Sequence, residues 1–344
     1  MSSITPSSLT LRRMLTNTIC SWRAFQLLCA CGVLLILFLN LPLQPIKSAT
    51  QNPILSKTYN VVVFNRVPKT GSTSVVRIFE ALSERNDFRV YRLAIFNPNQ
   101  FLNPLSHKAF VDAVRVISQH SKLLVHGHFY YINLRRYGAT IDYVYINCLR
   151  NPLERLVSKY YFMRFGDDHR PNTQRRRMTN QSLQMQTFEE CVEEGGDDCD
   201  PKRLWVQIPF FCGSAAYCDI PGNPEALQTA KRRLIEDYLL VGVLEYFNEF
   251  MELLAHLIPD YLTGIEQTKN VRIGGHPLWH LRRTKSKMQI QQKTLKAFQN
   301  NTIWWMEEEF YEFAKSEFLS RYQRYKYSSF DQVNWRTSVF IRAV

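Results

Sequence analysis

No internal repeat and no long low-complexity tract occurs in this 344-residue chain, which excludes a repeat solenoid and a largely disordered protein. Acid is in short supply: 30 Asp and Glu stand against 43 Lys and Arg, leaving a net charge of +13 at pH 7. An excess of that size points to polyanionic company, whether nucleic acid, acidic lipid or acidic polysaccharide. The length and a hydrophobic fraction of 45% allow one large α/β domain with a buried core, or two small ones. The acid deficit is sharpest at the start, where residues 1–23 carry Arg12, Arg13 and Arg23 and no acid at all. The apolar run "AFQLLCACGVLLILFLNLPL" at 24–43 follows, with no small-residue cleavage pattern behind it. It reads as an uncleaved signal anchor, about long enough to cross a bilayer. The basic flank predicts a cytosolic tail (1–23), a transmembrane helix (24–43), a short stem (44–60) and a lumenal domain (61–344). A cleaved signal peptide is the alternative, and it leaves the main domain in the same compartment.

Of the eight cysteines, Cys20, Cys29 and Cys31 lie in or beside the apolar run, and Cys148, Cys191, Cys199, Cys212 and Cys218 follow it. Four of these cluster in a segment without histidine, at spacings unlike the short pairs of zinc sites. In an oxidising lumen the spacing predicts disulfides Cys191–Cys199 and Cys212–Cys218, with zinc as the competing reading. Cys148, in an apolar strand, is expected to be a free buried thiol. The sequons at Asn180 and Asn300 are compatible with glycosylation of a lumenal domain.

From residue 61 the chain reads as strand, loop and helix, with "VVVFN" running into "RVPKTG" and then the helical spacing of Val75, Val76, Ile78, Phe79 and Leu82. A strand is expected in "LLVHGHFYY" and another in "YVYINCL", after which Pro152 fits the opening turn of a helix. "PEALQTAKRRLIEDY" predicts a helix, "LLVGVLE" a strand, and "YFNEFMELLAHLIPDYL" and "TIWWMEEEFYEFAKSEFLSRY" two more helices. Strands alternating with helices imply an α/β fold with a mainly parallel sheet flanked by helices.

The loop after the first strand carries the chemistry. A short Gly/Ser/Thr loop entering a helix presents backbone N–H groups where an anion is favoured; Lys69 adds a full charge, and Ser72 and Thr73 add hydroxyls. The full Walker spacing is missing, and with it support for a nucleoside triphosphate with magnesium. A second strand end offers Arg150 and, one helix face on, Ser158. Taken singly, Arg150 and Arg155 read as surface ion-pair formers; taken with the first loop, two anion-competent strand ends suggest a nucleotide with phosphates at two separate places.

The stretches "RVPKTGSTS", "HGH", "LRNPLERLVSKYYFMRFGDDHRP" and "LWVQIPFFCG" resemble those of the heparan sulfate 2-O-sulfotransferases, from about residue 60 through most of the chain beyond. The resemblance implies a P-loop-like sulfotransferase fold and 3′-phosphoadenosine 5′-phosphosulfate as donor, with no metal. It implies Lys69, Thr70, Gly71, Ser72 and Thr73 around the 5′-phosphosulfate, and Arg150 and Ser158 on the 3′-phosphate. "HLRRTKSK" would fold over the nucleotide, with Thr284 near the phosphate and Arg282 directed at the acceptor. His128 is implied as the base and His126 as its substrate-orienting neighbour. A strand through the pair would set both imidazoles on one face, with Gly127 leaving room for a sugar. Arg66, Asp167, Arg170 and Arg176 are implied on the acceptor, although the spacing before the arginine triplet is one residue longer than the family pattern.

The activity implied is sulfuryl transfer to the 2-hydroxyl of iduronate, and less readily glucuronate, in heparan sulfate, by a homotrimer anchored in the Golgi membrane. Nucleic acid is not an expected partner. The uronyl 2-O-sulfotransferases of dermatan and chondroitin sulfate resemble the chain less closely around "PKTGSTS" and "GDDHRP". A non-catalytic, membrane-tethered glycan-binding protein is a third reading, and Lys69 with His128 disfavours it because binding needs charge but no base.

Overall fold

The β-branched and aromatic residues of β1 (Val61–Asn65) are all fully buried, as they must be in a parallel strand covered on both faces. The computed structural model describes residues 58–93, 104–167, 185–281, 284 and 287–340, those after 327 by main chain alone. β1 is the middle strand of a five-stranded sheet with β2 (Phe88–Arg92), β3 (Lys122–Gly127), β4 (Tyr143–Leu149) and β5 (Tyr238–Val243). The order is β2-β3-β1-β4-β5, and every pairing is parallel. A separate two-stranded antiparallel hairpin joins β6 (Arg272–Ile273) to β7 (His276–Pro277).

The helices form where the periodicity and caps direct. α1 (Ser72–Leu82) buries Val75, Val76, Ile78, Phe79 and Leu82, and α2 (Pro104–Ser118) packs on β3. Asn151 caps α3 (Pro152–Phe165) by accepting from the Glu154 amide at 3.1 Å, with Pro152 in the first turn. α4 (Phe188–Glu193), α5 (Gln207–Cys212) and α6 (Pro224–Glu236) lie between β4 and β5. The stretch expected as one helix after β5 is two, α7 (Phe247–Leu257) and α8 (Pro259–Leu262), because the residue before Pro259 is forced out of the helical region. α9 (Gln292–Gln299) precedes α10 (Thr302–Phe340), which packs on β5, α6 and α7 and runs well past the helix end expected from sequence.

Both disulfides form as the spacing predicts, Cys191–Cys199 and Cys212–Cys218, and Cys148 is a fully buried free thiol. Asn300 is exposed between α9 and α10, whereas Asn180 lies outside the described residues. No helix among the described residues is long and apolar enough to cross a membrane, and the anchor expected at 24–43 lies outside them.

One polar knot is sealed inside the sheet. Asn65 Nδ2 donates to the Phe210 carbonyl at 3.0 Å, while its Oδ1 accepts from Asn147 Nδ2 and from the Tyr238 hydroxyl, each at 3.0 Å. These contacts tie the end of β1 to β4, β5 and α5. Asn65→Ala strands the buried Tyr238 hydroxyl, while Asn147 Nδ2 keeps the Asn65 carbonyl at 2.8 Å and the Phe210 carbonyl keeps the Tyr131 amide at 2.9 Å; a buried polar group left unpaired costs about 1–3 kcal/mol. Urea unfolding of this variant is expected to show a loss of about 2 kcal/mol with an unchanged slope; a loss below about 0.5 kcal/mol would mean that the Tyr238 hydroxyl re-pairs elsewhere.

Candidate active site

β1, β3 and β4 end side by side at Asn65, Gly127 and Leu149. The chain runs from β1 to β2 and β3 on one side and then to β4 and β5 on the other, so the strand order reverses at β1 and a crevice opens at the carboxyl ends. The residues that follow these three ends wall a cleft of about 650 Å³.

Lys69 and Gly71 in the first loop have left-handed backbones, with φ of 70° and 77°. A Cβ at position 71 would stand 2.5 Å from Leu244 Cδ1, so only glycine lets the loop turn against β5's exit. No side chain caps α1 at Gly71, which leaves its first amides available to an anion. Lys69, Gly71, Ser72 and Thr73 all line the cleft. Thr70 is fully buried in the same loop, and its hydroxyl donates to the Val67 carbonyl at 3.0 Å, bracing the turn from within. Lys69 Nζ sits 3.7 Å over the Phe162 ring and donates to Thr284 Oγ1 at 3.3 Å.

The second strand end brings Arg150, Ser158 and Thr284 to the same cleft. Ser158 and Thr284 share a hydroxyl hydrogen bond of 3.0 Å. Arg150 Nη2 donates to Glu154 at 3.3 Å and Nη1 to the Lys69 carbonyl at 3.5 Å. Glu154 also takes the ammonium of Lys287, so one carboxylate answers two cations and the wall stays positive. Burial lowers the affinity of the Arg150 guanidinium for its proton, with Glu154 opposing. Arg155, read from sequence as a surface ion-pair former, is instead fully buried.

The two histidines divide. β3 stops at Gly127, so His128 lies past the strand and the shared-face argument does not reach it. Gly127 makes no room for a ligand either: a Cβ there would lie 2.6 Å from the Leu93 carbonyl of the neighbouring chain segment. His128 lines the cleft, and its Nδ1 is 2.7 Å from the Arg66 carbonyl. A carbonyl only accepts, so Nδ1 carries the proton and the lone pair is on Nε2. His126 is buried, and its Nδ1 accepts from Arg66 Nη1 at 3.4 Å. Burial first, then the charges of Arg66, Arg92, His128 and Arg77, push its pKa down to about 3. It is therefore a neutral acceptor that aims Arg66, whose Nη2 also donates to Thr73 Oγ1 at 3.1 Å.

Asp167 is fully buried and pairs with Thr284 through an isolated main-chain bridge. Arg170, Arg176 and Arg282 lie outside the described residues. The far wall, which sequence reasoning missed, is apolar: Leu244, Phe247, Trp279 and Leu281, with Phe247 and Trp279 edge to face at 5.8 Å. These residues read locally as helix and loop filler, and only the fold brings them to the cleft. Among the described residues no group of three or more His, Cys, Asp or Glu is placed to hold a metal ion.

The profile of the sulfotransferase family matches residues 52–333. The chain belongs to the sulfotransferase family. Among relatives within it, the chain is 40% identical over 271 residues to a heparin sulfate O-sulfotransferase of Drosophila melanogaster, covering 79% of this chain and 75% of that one. It is also 40% identical over 258 residues to heparan sulfate 2-O-sulfotransferase 1 of Cricetulus griseus and of Homo sapiens, covering 75% of this chain and 70% of each. The matched residues of this sulfotransferase-family chain include every strand and the whole described cleft wall.

His126 supplies a pH signature. Its folded pKa is about 3, against about 6.5 in an unfolded chain, so below pH 6.5 the unfolded state binds the extra proton. The contribution of His126 to stability is therefore complete above about pH 6.5 and falls as pH drops toward 3. NMR titration of its ring is expected to show a neutral imidazole down to about pH 4. An ordinary midpoint near 6.5 would break the assignment of His126 as a fixed neutral acceptor.

Proposed function

We propose that this chain transfers a sulfuryl group from 3′-phosphoadenosine 5′-phosphosulfate to the 2-hydroxyl of a uronate, iduronate before glucuronate, in heparan sulfate. The observation that carries the reading is the placement of His128, with its Nε2 lone pair, on the same cleft wall as Lys69, Arg150 and Ser158. The names and 40% identity of the relatives support the acceptor class. The cleft fits the donor's chemistry: uncapped α1 amides with Lys69 at one end, Arg150 with Ser158 and Thr284 at a second anion position, and the Phe247–Trp279 wall for an aromatic base. The donor supplies, when bound, a sulfuryl group already activated by its anhydride bond to phosphate.

The protein's share is positioning and electrostatics, as in phosphoryl transfer. The loop amides and Lys69 Nζ offset the negative charge that grows on the leaving phosphate. His128 Nε2 takes the proton of the acceptor hydroxyl, while the Nδ1–H bond to the Arg66 carbonyl holds the ring in place and supports its positive charge. Arg66 lines the acceptor side, and we assign Arg170, Arg176 and Arg282 to the sulfates and carboxylates of the polysaccharide by paired guanidinium bonds. The same reading extends to a homotrimer held in the Golgi membrane by residues 24–43, with the catalytic domain lumenal and Asn180 and Asn300 as glycosylation sites.

Purified protein incubated with labelled donor and separate heparan, dermatan and chondroitin acceptors is expected to label 2-O-sulfated heparan disaccharides. Label confined to dermatan or chondroitin would move the assignment to the other uronyl 2-O-sulfotransferases. Lys69→Ala is expected to abolish turnover in a folded protein. His128→Ala is expected to lower kcat by about 10²- to 10⁴-fold with donor binding intact. Normal kcat in that variant would remove the base from His128.

A further inference from the structure

Glu307 is a carboxylate fully buried in α10, where an uncompensated charge is costly. It is fully engaged. Its Oε1 accepts from the Val206 and Ile208 amides at 2.9 and 3.1 Å, and its Oε2 from the Gln207 amide at 3.3 Å. Burial pushes the Glu307 pKa up to about 7, and the charge of Arg155, fully buried in α3, opposes that rise; Arg155 Nη2 donates to the carbonyls of Arg203 and Leu204 at 3.0 and 3.3 Å. Between them the two residues hold the main chain of one segment, Arg155 by the carbonyls of 203 and 204 and Glu307 by the amides of 206–208. Gln207 leads out of that segment to the cleft: its Nε2 donates to the Arg150 carbonyl at 2.9 Å, and its Oε1 accepts the Arg150 amide at 3.1 Å. Arg150 stands just beyond the end of β4, where no strand partner fixes its peptide, so this two-bond clasp sets the direction in which its guanidinium leaves the main chain.

Buried charged groups of this kind are replaceable, as far as stability goes, by apolar residues of similar volume. What an apolar replacement does not reproduce is the ordered run of acceptors that turns Gln207 toward Arg150. We propose that Glu307, acting through Gln207, is a positioning residue that aims Arg150 at the 3′-phosphate of the nucleotide and so sets the preference for a 3′-phosphorylated donor. The inference rests on the reading above that Arg150 takes that phosphate. In Glu307→Gln the new amide meets the Gln207 N–H donor to donor, which displaces Gln207 without changing the size of the buried side chain.

The test compares binding of adenosine 3′,5′-bisphosphate with that of adenosine 5′-phosphate by calorimetry on the full chain, for wild type, Glu307→Gln, Gln207→Met and Arg150→Ala. The wild type favours the bisphosphate. Glu307→Gln and Gln207→Met are expected to lower the affinity ratio about tenfold, the scale of one weakened charge-assisted hydrogen bond. Affinity for the 5′-phosphate should stay unchanged, and the donor KM should rise far more than kcat falls. General loosening of the fold would weaken both nucleotides alike, and that result overturns the proposal. Gln207→Met leaves Glu307 and its main-chain hydrogen bonds in place and tests the clasp on Arg150 if Glu307→Gln does not fold. A ratio that collapses in Arg150→Ala but survives in Gln207→Met overturns the positioning role alone. A ratio that survives in Arg150→Ala overturns the phosphate assignment and the positioning role with it.

Discussion

Arg66 is the stitch on which the cleft depends. Its amide donates to the Gly127 carbonyl at 2.7 Å and its carbonyl accepts from His128 at 2.7 Å, so the exits of β1 and β3 are joined by two short bonds through one residue. Its guanidinium reaches Thr73 in α1 and His126 in β3. The loop after β1, His128 and the strand that leads to it are therefore tied into one unit. Pre-set geometry of this kind is what a transfer reaction with little covalent participation by the protein requires.

Electrostatic design and fold design meet at the opposite wall. Glu154 answers both Arg150 and Lys287, and the hydroxyls of Ser158 and Thr284 sit with Lys69 nearby. A carboxylate outnumbered by cations keeps those cations ordered without neutralising them. Thr284 contacts Lys69, Ser158 and the Asp167 main chain, and so joins the loop before α1 to α3. The overall excess of positive charge acts at longer range, favouring the approach of a polyanion.

What was legible in the sequence was local. The strand–loop–helix at 61–82, the Pro152 helix start and both disulfides are decided within a few residues by β-branching, capping and cysteine spacing, and they stand in the structure as expected. Long-range packing hid the rest. The Thr70 hydroxyl turns inward onto the Val67 carbonyl, and Gly127 looks like open space until Leu93 fills it. Arg155 reads from sequence as a surface ion-pair former and Glu307, more than a hundred residues on, draws no notice there; only the layering of α3, α5 and α10 buries both. The Phe247–Trp279 wall joins the start of α7 to a late loop, a contact no periodicity encodes.

The fully buried thiol of Cys148 has a practical corollary for anyone producing this protein. Inside β4 it is sealed from oxidants, and burial pushes its pKa well up, so in the folded molecule it is chemically silent. Before the sheet closes it is an ordinary thiol competing with Cys191, Cys199, Cys212 and Cys218 for partners. Material made reduced and then oxidised from a denatured state will carry misjoined chains that trap β4 outside the sheet, whereas a chain that buries β4 before its thiols are oxidised will not. An alanine at 148 removes that competitor at the cost of one small core cavity, leaving the four disulfide cysteines with Cys20, Cys29 and Cys31 as the remaining thiols.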